Sequence, residues 1–203
     1  MKTRSILFST LIVLATTGLL SNCSGNKKEE AAESHDHAAM EAAEQPAKTA
    51  AQFAVDAAFQ QQLATVFTSY IKLKEGFVSS DIAKVKPEIA AVKLALANVD
   101  MKLLEGPAHN DWMTYLGSIE TSLKEMEASA DIEVQRKAFS TLSDNLYKSI
   151  KAYGLGGTTA YYEFCPMAFD NKGAFWLSDN NKIRNPYFGD KMLSCGSVKE
   201  TLQ

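Results

Sequence analysis

Four sulfur-bearing side chains gather near the C-terminus: Cys165 and Met167 within Cys165-Pro166-Met167, and Met192 and Cys195 within Met192-Leu193-Ser194-Cys195-Gly196. Thiolate and thioether are soft, polarizable donors that select monovalent copper or silver over hard ions such as magnesium and calcium. Cys165, Met167, Met192 and Cys195 are therefore candidate ligands for copper(I). His109 or Met113, at the start of a predicted third helix, completes such a site if the C-terminal segment folds over that end. The same two cysteines have a second chemistry open to them. A Cys165–Cys195 disulfide closes a loop of about thirty residues and contributes roughly 3–4 kcal/mol in the chain-entropy model. Met167 and Met192 are then core fillers. Residue type and spacing leave both readings open.

No catalytic pattern accompanies these residues. The chain has no Gly-rich phosphate loop, no Gly-x-Ser-x-Gly, no His-Glu-x-x-His and no Cys-x-x-Cys-His. His109 is the one histidine outside the N-terminal tether, so a nucleophile–base pair would have to join it to Cys165 or Cys195. Without Cys-x-x-Cys, a thiol-redox enzyme has little to rest on. The expectation is a binding protein and no enzyme. A net charge of −3 gives no electrostatic basis for a nucleic-acid partner.

The front of the chain sets the compartment. Lys2 and Arg4 precede an apolar run, Ile6 to Leu20, which is too short and too early for an ordinary membrane span. It closes on Leu19-Leu20-Ser21-Asn22-Cys23, which is similar to a bacterial lipoprotein box, with Asn22 in place of the usual Gly or Ala. Residues 1–22 read as a lipoprotein signal peptide, and Cys23 as the lipidated first residue of the mature protein. Each acyl methylene buried in the bilayer adds about 0.8 kcal/mol. The expected address is the cell envelope, anchored by lipid, at the outer membrane facing the periplasm. Residues 23–52 read as a flexible tether, rich in Glu, Ala, Lys and Ser and unable to offset its ordering entropy. It contains Met40, and its His35 and His37, two apart, suit either loose metal binding or a place as solvated linker residues. With Cys23 spent on lipid, two cysteines remain in an exported protein, which points to a disulfide or a metal site.

Residues 53–203 must supply the scaffold. Phe59, Leu63, Val66, Tyr70, Leu73 and Phe77 recur at alternating spacings of four and three, one stripe of a helix over about 53–77. Ile82, Val85, Ile89, Val92, Leu96, Val99 and Leu103 predict a second helix over 81–104, with Pro87 kinking it or tightening its first turn. Gly106-Pro107 ends it and opens the next. Trp112, Leu116, Ile119, Leu123 and Met126 give a third helix over 109–126. Asp131 caps a fourth, striped by Phe139, Leu142, Leu146, Ile150 and Tyr153 and stopped at Gly154. Arg136, beside that stripe, is equally suited to pairing with an acid or lying on a solvated face. Short links favour antiparallel neighbours. The predicted fold is all-α: an up-down-up-down four-helix bundle with a C-terminal non-helical cap. In the cap, 161–164 reads as a short strand, and Asp170-Asn171-Lys172-Gly173 as the turn of a small β-hairpin between Phe169 and Ala174–Leu177.

Longer motifs carry a resemblance. Cys165-Pro166-Met167-Ala168, Trp176-Leu177-Ser178, Ile183-Arg184-Asn185-Pro186-Tyr187-Phe188-Gly189 and Met192-Leu193-x-Cys195-Gly196 resemble the Bacteroidota domain-of-unknown-function family 3347. So does Arg136-x-x-Phe139-x-x-Leu142-Ser143 upstream. The resemblance spans about Phe53 to Leu202. It implies an exported protein. Because related domains are attached to periplasmic adaptors of copper/silver efflux pumps, it also implies a metal-handling role, with such an adaptor as partner. Cys165, Met167, Met192 and Cys195 match that family's sulfur-bearing motifs. The chain has no adaptor portion, so a free-standing lipoprotein is expected.

Overall fold

A computed structural model of the protein describes residues 48–203. The signal segment 1–22, Cys23 and the tether residues His35, His37 and Met40 lie outside the described residues. The described chain is mostly helical, with a small antiparallel sheet at its C-terminal end. No helix among the described residues is long and apolar enough to cross a membrane.

Four long helices come first: α1 (Ala57–Val78), α2 (Ile82–Ala97), α3 (Gly106–Ala128) and α4 (Ile132–Tyr153). Each start has a local cause. Asp56, Asp81 and Asp131 accept the N–H of Ala58, Ala83 and Glu133 at 2.7, 3.0 and 2.8 Å, satisfying donors that the first helical turn leaves free. Helix α3 has no side-chain cap and carries Pro107 in its first turn instead, where a missing N–H costs nothing. Pro87 sits inside α2, and the helix continues past it.

Helix α2 is shorter than its stripe suggests. It stops at Asn98, whose side chain turns back onto Leu94 O at 3.0 Å. Asp100 then caps a separate 3-10 turn, Met101–Leu103, through Lys102 N at 3.0 Å. Short polar side chains compete for backbone groups in this way, and the apolar period runs on through the break.

The stripes meet in one core. Helix α1 packs on α2 and α4, and α3 packs on α2 and α4. Phe59, Trp112 and Tyr153 interlock at one end, with ring centroids 5.1–6.1 Å apart. Tyr70, Phe77 and Phe139 stack further along, at 4.8 and 5.1 Å. All six are fully buried, and burying one such ring stabilises by about 1.5–3 kcal/mol.

The sheet has strands β1 (Lys48–Thr49), β2 (Ala160–Cys165), β3 (Ala174–Ser178) and β4 (Ser197–Leu202), in the order β1-β4-β2-β3. Strand β2 is antiparallel to both β3 and β4, and β1 is parallel to β4. Strand β3 lies against α4. Pairing therefore begins at Lys48, ahead of the expected domain start at 53. It continues in Gln52 N and Phe53 N, which donate to Lys151 O and Ala152 O at 3.3 and 2.8 Å.

The hairpin differs from its sequence reading. The partner of 174–178 is the strand 160–165, not Phe169. Phe169, Asp170 and Asn171 adopt left-handed backbone, with φ of 51°, 57° and 63°, inside a tight turn at Ala168–Asn171. Strand β4 was unexpected. Its Ser197-Val198-Lys199-Glu200-Thr201-Leu202 alternation is too short and polar to stand out without its partner.

Candidate soft-metal site

Strand register explains why the two cysteines meet. Cys165 ends β2, and its neighbour Phe164 pairs with Ser197 at the start of β4. Cys195 is two residues before Ser197, so the ladder delivers it to the end of β2. A bulge between Tyr162 and Glu163 resets the alternation and turns both Glu163 and Cys165 inward, where each is fully buried. Cys195 is half-buried, and both stand as free thiols. The Cys195 thiol lies close enough to the Cys165 thiol and to the Met167 backbone N–H for both to bear on its titration.

The loop that carries Cys195 is held from several sides. Asn185 is fully buried and acts as a clamp. Its Nδ2 donates to Cys195 O at 2.7 Å, and its Oδ1 accepts from Tyr187 N at 2.8 Å and Phe188 N at 3.3 Å. Arg136 reaches across from α4. Its Nε donates to Pro186 O at 2.9 Å, its Nη2 to Phe77 O and Ser80 Oγ at 3.2 and 2.9 Å, and its Nη1 pairs with Glu133 at 2.7 Å. The pairing alternative for Arg136 is thus the one adopted. Arg184 forks onto Glu75 Oε2 at 3.1 and 2.9 Å. Tyr187 donates its hydroxyl to Phe175 O and sets its ring against Phe139 and Trp176. Gly196, at φ 146°, lies where a Cβ would be 2.7 Å from the Trp176 ring and 3.0 Å from Phe164 O, so only glycine lets the chain after Cys195 lie this close.

Both methionines border the same place. Met167 and Met192 line one open concavity with Glu133, Phe169, Asp170 and Tyr187. Met167 is 47% exposed, unusual for a side chain that stabilises by burial. The fold therefore brings Cys165, Cys195, Met167 and Met192 to one corner of the cap. It does not bring His109. Tyr153, the last residue of α4, donates to Ala108 O at 2.8 Å, which puts His109 beside the end of α4. Glu133, at the start of α4, lines the sulfur corner. Twenty residues of helix separate those ends by about 30 Å, so neither His109 nor Met113 can complete the sulfur site.

The electrostatics favour a protonated thiol at Cys195. Burial pushes the Cys195 thiol up to about 11, contact with Cys165 adds to this, and the Met167 N–H opposes it. A thiol in that range is a poor nucleophile at neutral pH. Among the described residues no group of three or more His, Cys, Asp or Glu side chains is placed to hold a metal ion. A zinc-type or carboxylate-rich site is thus not assembled there, whereas two thiols flanked by thioethers are a soft donor set of another kind.

Sequence reasoning missed a second buried polar group. Glu163 is fully buried, and neither carboxylate oxygen has a hydrogen-bond partner. The Trp176 indole N–H is near enough to favour its charged form yet outside hydrogen-bond geometry. Lys74, also fully buried, stands by it and contacts Ser178 Oγ at 3.3 Å and Glu75 at 3.0 Å. The signal was present as a glutamate in an aromatic strand, Tyr161-Tyr162-Glu163-Phe164.

Comparison with known proteins adds one family match over part of the chain. No curated protein and no solved structure matches the chain. The family model described as "Protein of unknown function (DUF3347)" matches residues 66–158. The match takes in α2, α3, α4 and most of α1, including Arg136, Phe139, Leu142 and Ser143, and ends ahead of the cap. Over residues 66–158 the chain is similar to the DUF3347 family, the family its sequence resembles.

Proposed function

We propose that this protein is a cell-envelope lipoprotein that binds a soft heavy-metal ion, copper(I) or silver(I), through Cys165 and Cys195 with Met167 and Met192 alongside. The observation that carries the reading is the strand pairing that brings Cys195 to the end of β2 beside Cys165, at a corner where an exposed methionine is kept. Two soft anionic donors close together bind a monovalent soft ion tightly once their protons are displaced. The four long helices, read as an up-down-up-down bundle, give the cap a rigid floor through Arg136 and Tyr187. Anchoring by Cys23 at the outer membrane, facing the periplasm, and service to an efflux adaptor as partner rest on the sequence alone. The role is buffering the ion or passing it on, with no enzymatic step.

An anaerobic copper(I) titration of the reduced protein against a chromophoric chelator tests this. One ion should bind tightly, and the Cys165→Ser/Cys195→Ser variant should lose that binding while its far-ultraviolet circular dichroism stays helical. Equal affinity in the two proteins refutes the reading.

The closeness of the two cysteines at the end of β2 also favours a second reading, a disulfide-locked interaction module that ignores metals. In that case the protein is isolated with both thiols oxidised, and reduction loosens the cap without conferring copper(I) binding.

A further inference from the structure

His109 is taken away from the sulfur corner and given other neighbours. Met101 opens the 3-10 turn before α3, and its carbonyl oxygen is 3.4 Å from His109 Nδ1. A carbonyl only accepts, so Nδ1 is the donor in this contact, and in the neutral imidazole that tautomer leaves the lone pair on Nε2. Metal-binding imidazoles are commonly fixed in this way, by the second nitrogen donating to a backbone carbonyl. Met113 follows His109 by four residues in α3. Residues so spaced share a helix face, with Cβ atoms about 5–6 Å apart. The only histidine among the described residues thus has its Nδ1 at the backbone carbonyl of one methionine and a second methionine one helical turn further on.

Both methionines are exposed. Met101 is 37% and Met113 43% accessible, whereas Met126 in the helical core is fully buried. Single apolar side chains on a surface need no explanation. Two exposed thioethers whose backbones lie next to one oriented imidazole are a different matter, because three rotatable bonds let each side chain swing toward the ring. The resulting donor set is one imidazole nitrogen and two thioether sulfurs, all neutral. Thioether sulfur favours monovalent soft ions and disfavours magnesium, calcium and manganese. Being exposed and lacking thiolate, the set holds its ion more weakly than a dithiol and releases it more readily.

We propose that Met101, His109 and Met113 form a second site for copper(I) or silver(I), about 30 Å from the cysteine pair. It goes beyond the function proposed above and does not depend on it, since no cysteine takes part. Its place in that scheme is capture and release at low affinity, at the opposite end of α4 from the thiols.

Silver nitrate titrated into the protein in chloride-free buffer, with methionine methyl and histidine ring resonances followed by nuclear magnetic resonance, tests the site. The Cys165→Ser/Cys195→Ser variant isolates it. The Met101 and Met113 methyls and the His109 ring should shift together and saturate at one ion per chain, and His109→Ala should abolish those shifts. If the cysteine variant does not fold, the wild-type protein serves, and the same three residues should respond to the second equivalent of silver. Shifts confined to Met167 and Met192 overturn the proposal. So does a set of Met101 and Met113 shifts that survives His109→Ala. Failure of the cysteine site reads out separately, as loss of the tight step with the His109 response retained.

Discussion

Replacing Glu163 by glutamine tests the interior beneath the cap. Glu163 is buried with both carboxylate oxygens unpartnered. Burial pushes its carboxyl up to about 7 from an ordinary 4.5, against the pull of Lys74. Between these values the unfolded chain has released the proton and the folded chain still holds it. The folded state therefore binds more protons, and its stability falls as pH rises from about 4.5 to about 7, then levels off. That gap corresponds to about 3 kcal/mol. Glu163→Gln keeps the shape and removes the titration, while Lys74 retains Glu75 at 3.0 Å and Ser178 at 3.3 Å. Urea unfolding of both proteins, followed by circular dichroism at intervals from pH 4 to 9, measures the effect. The variant should match the wild type near pH 4.5 and exceed it by about 3 kcal/mol near pH 8. Glu75 titrates in both proteins and cancels. Burial pushes that carboxyl up, hydrogen bonds from Arg184 and Lys74 outweigh it, and the net result is below the usual range. A difference between the two proteins that stays constant across the pH range refutes the assignment of Glu163 as a buried acid that resists ionisation.

Two further substitutions probe the corner itself. Asn185→Ala removes the donor to Cys195 O and the acceptor for Tyr187 N and Phe188 N. It should cost about 2–3 kcal/mol in urea unfolding and weaken copper(I) binding in the chelator competition, with the helical spectrum unchanged. Asp170→Gly relieves an exposed residue held at φ 57°. It should stabilise the protein by about 0.5–1 kcal/mol, read as a raised urea midpoint.

The helices were legible because burial and period coincide. Val85, Ile89, Val92 and Leu96 recur on the stripe and are buried in the structure, and Asp131 and Gly154 bound α4 as capping chemistry requires. The same period overran the true end of α2, since Val99 and Leu103 stay in phase while Asn98 and Asp100 divert the backbone. The cap was legible as residues and not as geometry. Four sulfurs could be named, but their meeting depends on Phe164 pairing with Ser197, a contact between segments more than thirty residues apart. Nothing local in Ser197–Leu202 announces a strand. The place of His109 at the sulfur site was conditional on the cap folding over the start of α3, and it fails for the same reason. A one-dimensional reading cannot say over which end of the helices a cap will fold, and here that is decided by Arg136 at the start of α4 binding Pro186 O. Arg136 itself could be seen beside the fourth stripe, though its carbonyl partners could not.

The surroundings of the cysteine pair bear on which chemistry it serves. A disulfide stabilises chiefly by restricting the unfolded chain, and a loop of about thirty residues gives roughly 3–4 kcal/mol in that model. The native corner is already fastened without it. Strands β2 and β4 are laddered from Ala160 to Phe164, Asn185 holds the Cys195 carbonyl, Arg136 ties Pro186 to α1 and α4, and Arg184 forks onto Glu75. A staple at this point adds to the entropy of closure and leaves the geometry as it is. It also gives no reason for Met167 to stand 47% exposed in a turn where three successive residues hold left-handed backbone. Left-handed backbone costs about 1–2 kcal/mol at Phe169, whereas Asp170 and Asn171 tolerate it, and strain of this kind gathers where position matters more than stability. An ion held by two thiols with a thioether at the rim accounts for the preformed loop, the exposed methionine and the strained turn together, whereas a bridge accounts for the thiols alone.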